Sequence, residues 1–184
     1  MLDLVENILR DNGYYLEVEL RTLIDSPCTT STIKVLKFDK IKEKYCYKFC
    51  IGNVVKSNDL LILFKKKNEL HFIEMKRCNG LGAQAFTNKY FEQPKIRDKN
   101  IHSIFLFLSL ISTYNIDKDF YTYFFHLPYP KKIKLRTSIL CDLSEEEMIY
   151  AKLLTMGSSG AGFHEIMAGQ VDIINCSYFE KYFS

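Results

Sequence analysis

"NDLLILFKKKNELHFIEMKR", residues 58–77, decides how the rest of the chain is read. Asp59 opens an apolar run, a lysine-rich turn follows, and a second apolar run closes on Glu74-Met75-Lys76. Two such runs joined by a short polar turn predict a β-hairpin. Side chains two residues apart on a strand share a face. Glu74 and Lys76 therefore point together, while Ile73, Met75 and His71 point the other way. A carboxylate and an ammonium together at the end of so apolar a strand are candidates for chemistry, against the plainer reading that charged residues alternate on many half-exposed strands.

Upstream, Leu2, Val5, Ile8 and Leu9 recur at helical spacing, and Asp11-Asn12-Gly13 ends that helix. Residues 14–24 alternate apolar and charged and suit a strand, although the same residues fit a helix after a break. Residues 44–55, "KYCYKFCIGNVV", have β-rich composition and predict a strand. Downstream, "GLGAQAFTNKYFEQPKI" predicts a helix that stops near Pro94. "IHSIFLFLSLI", 101–111, is continuously apolar, as expected of a strand covered on both faces. Residues 120–130 and 131–143 suggest further β structure. Ser144 with Glu147 three residues on is a capping box and opens a helix. Residues 157–163, "GSSGAGF", predict a flexible loop and lack the Gly-Lys-Ser/Thr ending of a phosphate-binding loop.

A chain of 184 residues is read as one domain, with a core over about 1–126 and a C-terminal α/β extension over about 127–184. With 14 Phe and 12 Tyr it has bulk for a real core, which excludes disorder as a description of the whole. A net charge of +3 means that any nucleic-acid contact must rest on local clusters. The six cysteines include no Cys-x2-Cys pair; Cys46 and Cys50 lack a second pair or a nearby His. Reduced thiols are expected. The N-terminus mixes acidic with apolar residues, unlike a signal peptide, and the longest apolar stretch falls short of the ~20 residues of a membrane span. These features predict an intracellular protein, in a bacterial cytoplasm or, if viral, in a host cell.

An acid, then an acid-x-Lys tripeptide fifteen positions on at the end of the neighbouring strand, resembles the core of the PD-(D/E)xK nuclease superfamily. The resemblance covers roughly residues 44–112, with Asn58 standing where the family has Pro. It implies a restriction-endonuclease-like fold: a mixed β-sheet flanked by helices in an α/β architecture. It also implies a metal-dependent nuclease, in which Asp59 and Glu74 bind Mg²⁺ or Mn²⁺ and Lys76 places the attacking water. Such an ion needs only one or two carboxylates beside phosphate oxygens and water. It lowers the pKa of bound water and offsets charge on phosphorus. The RecB-like branch adds a Gln on the following helix, which points to Gln84; Tyr90 stands six positions on rather than that branch's four, so only Gln84 is carried over. The leading helix often supplies a third carboxylate, here Glu6, with Glu17 and Glu19 as alternatives.

Polynucleotide contacts are expected from Lys65 and Lys66 at the hairpin turn, Lys89, and the group Lys131, Lys132, Lys134 and Arg136, which adjoins Tyr129. DNA is favoured over RNA as the partner, with no membrane and with a homodimer or larger nucleoprotein assembly as the expected form. A non-catalytic nucleic-acid-binding or protein-assembly module with the same fold is the alternative.

Overall fold

The computed structural model describes residues 2–52, 55–90, 94–114, 133–155 and 171–184. The apolar spacing of the N-terminus produces helix α1 (Leu2–Asp11), whose Leu2, Val5, Ile8 and Leu9 are buried. Gly13, at φ +70°, turns the chain where the helix stops. Two short strands follow, β1 (Glu17–Glu19) and β2 (Lys34–Lys37), then helix α2 (Phe38–Lys48). The hairpin is β3 (Leu60–Phe64) and β4 (Glu69–Lys76), turned through Asn68 in the left-handed conformation that asparagine tolerates. Helices α3 (Ala83–Tyr90) and α4 (Pro94–Tyr114) lead to β5 (Lys134–Cys141). Helix α5 (Glu145–Thr155), strand β6 (Asp172–Asn175) and helix α6 (Cys176–Phe183) complete the chain.

The strands form one mixed six-stranded sheet in the order β1-β2-β3-β4-β5-β6. β1 to β4 pair antiparallel; β5 pairs with β4, and β6 with β5, in parallel. The stretch expected as a C-terminal extension is thus built into the sheet: β5 pairs with β4 from Glu69↔Lys134 to Lys76↔Cys141. Among the described residues no helix is long and apolar enough to cross a membrane.

Alternation along the strands divides the interior. Leu61, Leu70 and Phe72 pack on one face with α1, α2 and α4. Ile139, Cys141 and Ile173 continue that face toward α3 and α5. Leu60, Ile62, Ile73, Leu140 and Ile174 point to the other face, where Phe179 of α6 and Leu20 and Cys28 close over them.

Two expected strands are helices. Residues 44–48 finish α2, because Phe38, Ile41 and Tyr45 recur at helical spacing and are all buried; tertiary packing overrides the β propensity of the aromatic residues. Residues 101–111 lie within α4. Their continuous apolar run reflects a helix buried around most of its girth, with Phe105 and Ser109, four apart, left on the exposed stripe. An apolar run of this length suits a helix better than a strand of 4–8 residues. Pro94 does not end a helix but begins α4, where its missing N–H costs no hydrogen bond. Of residues 14–24, only 17–19 are strand. The capping box at Ser144 forms as expected: Glu147 N–H donates to Ser144 Oγ at 3.3 Å, and Ser144 N–H donates to Glu147 Oε2 at 3.2 Å. The expectation of reduced thiols fails for one pair, because Cys28 and Cys176 form a disulfide that ties the loop after β1 to the start of α6. The segments at 120–130 and 157–163 lie outside the described residues.

Candidate functional site

The parity of the hairpin places the expected site on one face. Leu60 pairs with Ile73, so Asp59 stands opposite Glu74, one position beyond the ladder. Both acids and Lys76 share the face that carries Phe72 and the α4 helix. They lie at the carboxyl end of β4, the sheet end at which open α/β sheets bind ligands.

The segment that delivers Asp59 is fastened to α4. Ser103 Oγ accepts from the Asn58 N–H at 2.7 Å, and Asn58 Nδ2 donates to Asn100 Oδ1 at 2.8 Å. Lys56 pairs with Asp98 at 2.9 Å. Asn58, Asn100 and Ser103 are all buried, so Asp59 rests on a rigid support. Asp59 Oδ2 then accepts the Met75 N–H at 2.7 Å, which bridges the two strands. Burial, and next the nearby Glu74, push the Asp59 carboxyl up to about 6; the Met75 N–H and the Lys99 and Lys76 ammonium groups act against that rise.

Glu74 is 1% exposed. Its Oε1 accepts from Lys76 Nζ and, at 2.6 Å, from Lys99 Nζ on α4. Its Oε2 is buried and has no hydrogen-bond partner among the described residues. A buried carboxylate oxygen in that state is costly, and a bound cation would satisfy it. Asp59 and Glu74 each retain one oxygen outside these hydrogen bonds, a donor set that suits Mg²⁺ or Mn²⁺ completed by phosphate and water. A cleft of about 480 Å³ opens beside Asp59 and Lys76, lined also by Asp25, Lys37, Asp39 and Met75 among others. Among the described residues no three His, Cys, Asp or Glu side chains converge on one point.

The other expected residues are distributed as follows. Glu6 binds Lys65 at 2.6 Å and also Arg10, at the turn end of the hairpin. It is therefore held at the opposite end of β3 from Asp59 and does not join the acid pair. Glu17 and Glu19 lie on edge strand β1, with Glu17 paired to Lys34 and Glu19 to Arg21. Gln84 is exposed on α3 and donates to Asn88 Oδ1 at 2.7 Å, not to the acids. Lys65 is bound to Asp3 as well as Glu6, and Lys66 donates to the Ser184 carbonyl at 2.7 Å, so the turn lysines are engaged within the chain. Lys89 stays exposed, 5.2 Å from the Tyr90 ring centroid. Lys134 and Arg136 lie on β5, away from the acids; Lys131 and Lys132 lie outside the described residues.

One residue at the site, Lys99, went unread in the sequence, and another, Tyr90, was set aside. Lys99 was hidden because the segment after it was taken for a strand; a helix begun at Pro94 brings it over Glu74. Tyr90 sets its ring centroid 5.6 Å from Lys76 Nζ, a weak cation–π contact. Its position two residues later than expected did not prevent the approach.

No family model, curated protein or solved structure matches the chain.

Proposed function

We propose that the chain is a divalent-metal-dependent nuclease that hydrolyses phosphodiester bonds of DNA or RNA, with a restriction-endonuclease-like core. The observation that carries this reading is the buried Glu74, one oxygen unsatisfied, opposite Asp59 across a hairpin and beside Lys76. The element order supports it: a leading helix, an antiparallel meander β2-β3-β4, a helical crossover and a parallel strand β5. Asp59 and Glu74 would hold Mg²⁺ or Mn²⁺, which supplies an acidified water and charge neutralisation at phosphorus. Lys76 would orient the attacking water and offset charge that develops as the bond breaks. Lys99 would remain as the ion-pair partner of Glu74 if Lys76 turned to the substrate. Lys37, on the cleft wall, offers a phosphate contact.

The test incubates wild type and Lys76→Ala with labelled single- and double-stranded DNA and RNA in Mg²⁺, Mn²⁺ or EDTA. Cleavage in metal, none in EDTA, and a loss of about 10²–10⁴-fold in Lys76→Ala are expected. Added Mn²⁺ raises the melting temperature of wild type but not of Asp59→Asn, because only the folded acid pair binds it. An equal metal response in both proteins, with no cleavage of any substrate, would overturn the reading.

One observation favours the non-catalytic alternative. Lys76 and Lys99 together already balance Glu74, so the carboxylate has a charge partner without metal. On that reading the fold binds nucleic acid or a protein partner and cuts nothing.

A further inference from the structure

On the opposite sheet face, β4 carries a second buried glutamate. Glu69 Oε2 accepts from Tyr182 OH at 2.7 Å and hydrogen-bonds His71 Nε2 at 2.9 Å. A carboxylate there fixes the imidazole tautomer with the proton on Nε2. Nδ1 is left as an acceptor. It is buried, in a residue 5% exposed, and has no partner among the described residues. The His71 ring forms part of the wall of a cavity of about 260 Å³, with Arg136, Asp172, Tyr178, Tyr182 and Phe183.

The charges around this cavity balance. Arg136 faces Glu69 at 3.8 Å, and Lys152 holds Asp172 Oδ1 at 2.8 Å. A balanced site does not select an anion. It suits a neutral ligand that gives hydrogen bonds to Asp172 and accepts them from Arg136. Three aromatic side chains on the same wall favour a planar ligand. The volume, below the ~300–1,000 Å³ of drug-sized sites, admits a ring system and little more.

We infer that this cavity is a nucleobase pocket, and that guanine is the base it fits. Guanine sets two acceptors, O6 and N7, beside two donor groups, N1–H and N2–H₂. Arginine is the common partner of the first pair, and a carboxylate acceptor such as Asp172 complements the second. The base can arrive as a free nucleoside or splayed from a single strand. The inference uses none of Asp59, Glu74 or Lys76 and stands apart from the metal site.

The experiment titrates the full chain, in EDTA, with guanosine, adenosine, cytidine and uridine by calorimetry, and follows the His71 ring nitrogens by NMR. Guanosine is expected to bind and to shift Nδ1, with the other nucleosides at least about tenfold weaker. Arg136→Gln and Asp172→Asn, both at partly exposed positions, should each weaken guanosine about tenfold or more while circular dichroism stays native. Asp59→Asn should bind guanosine like wild type, which separates failure here from failure of the nuclease reading. A guanine-containing oligonucleotide that binds more tightly than guanosine identifies the strand as the source; equal affinity identifies the nucleoside. No heat and no Nδ1 shift with guanosine, equal binding of all four nucleosides, or unchanged guanosine affinity in both pocket variants would overturn the pocket.

Discussion

β4 buries two glutamates five positions apart on opposite faces, and their partners differ in kind. Glu74 is held by Lys76 and Lys99, which are partly exposed ammonium groups on flexible stems. Glu69 is held by His71 and Tyr182, a ring and a phenol fixed by packing against Phe64 and Phe183. Burial pushes the Glu69 carboxyl up, but the Tyr182 and His71 hydrogen bonds outweigh it and hold the group below its usual value. Burial also holds His71 below its usual value, so the ring is neutral near pH 7. One glutamate is thus held by charges that can move away, and the other chiefly by two packed neutral donors, with the Arg136 guanidinium farther off at 3.8 Å. The first arrangement can exchange a partner for a ligand; the second gives a cavity a rigid wall.

Removing the charge of Glu74 breaks the comparison most sharply. Glu74→Gln removes the buried acceptor of two partly exposed ammonium groups and should cost about 3 kcal/mol in urea denaturation. Replacing Glu74, Lys76 and Lys99 together with methionine should restore most of that loss. If Glu74→Gln is as stable as wild type, the lysines do not depend on the carboxylate.

The Cys28–Cys176 disulfide sharpens it next. The bridge spans 148 positions and anchors α6, which carries Tyr182. The double variant Cys28→Ala/Cys176→Ala should lose about 2–4 kcal/mol. Amide exchange should rise in α6 and around Glu69 while the residues around Glu74 stay protected. Uniform loosening would show that the two clusters are not separate units.

Asp59 gives the opposite sign. Its folded value of about 6 lies above the unfolded one near 3.8, so the fold binds its proton more tightly than the unfolded chain. Asp59 therefore favours folding at low pH, and that contribution is lost as pH rises from about 4 through 6. Without metal, Asp59→Asn should be more stable than wild type at pH 7.5 by roughly 1–3 kcal/mol, and the gain should vanish near pH 4. A constant difference across this range would show that the carboxyl does not titrate as described.

Glu69→Gln is the mildest change. The amide oxygen still accepts from Tyr182 and His71, so the cost should be about 1 kcal/mol by thermal melting. A loss as large as that of Glu74→Gln would erase the contrast.

What the sequence revealed follows the range of the interactions. Asp59, Glu74 and Lys76 were legible because the register of a hairpin is set locally, and period-2 parity then puts all three on one face. His71 was legible as facing away from Glu74, but its role was not, since Tyr182 comes from the far end of the chain. The capping box at Ser144 needs only four residues and was read directly. Lys99, the disulfide and the dispersal of Glu6 depend on tertiary placement. The run at 101–111 misled because burial on nearly all sides removes the helical period that would have identified α4.

The pairing of β4 with β5 has a further consequence, for the order in which the chain assembles. Leu60 meets Ile73 across a short turn, whereas Glu69 meets Lys134 only after the whole crossover has formed. Contacts between residues distant in sequence form slowly, because the intervening loop must close first. The hairpin is therefore expected to bring Asp59 and Glu74 together while α4 and its Lys99 are still undocked. At that stage two carboxylates repel on an open hairpin, with Lys76 alone to offset them, and docking of α4 relieves the repulsion. A divalent cation present during refolding would do the same earlier, so Mn²⁺ should speed refolding of wild type and leave Asp59→Asn unaffected in stopped-flow fluorescence.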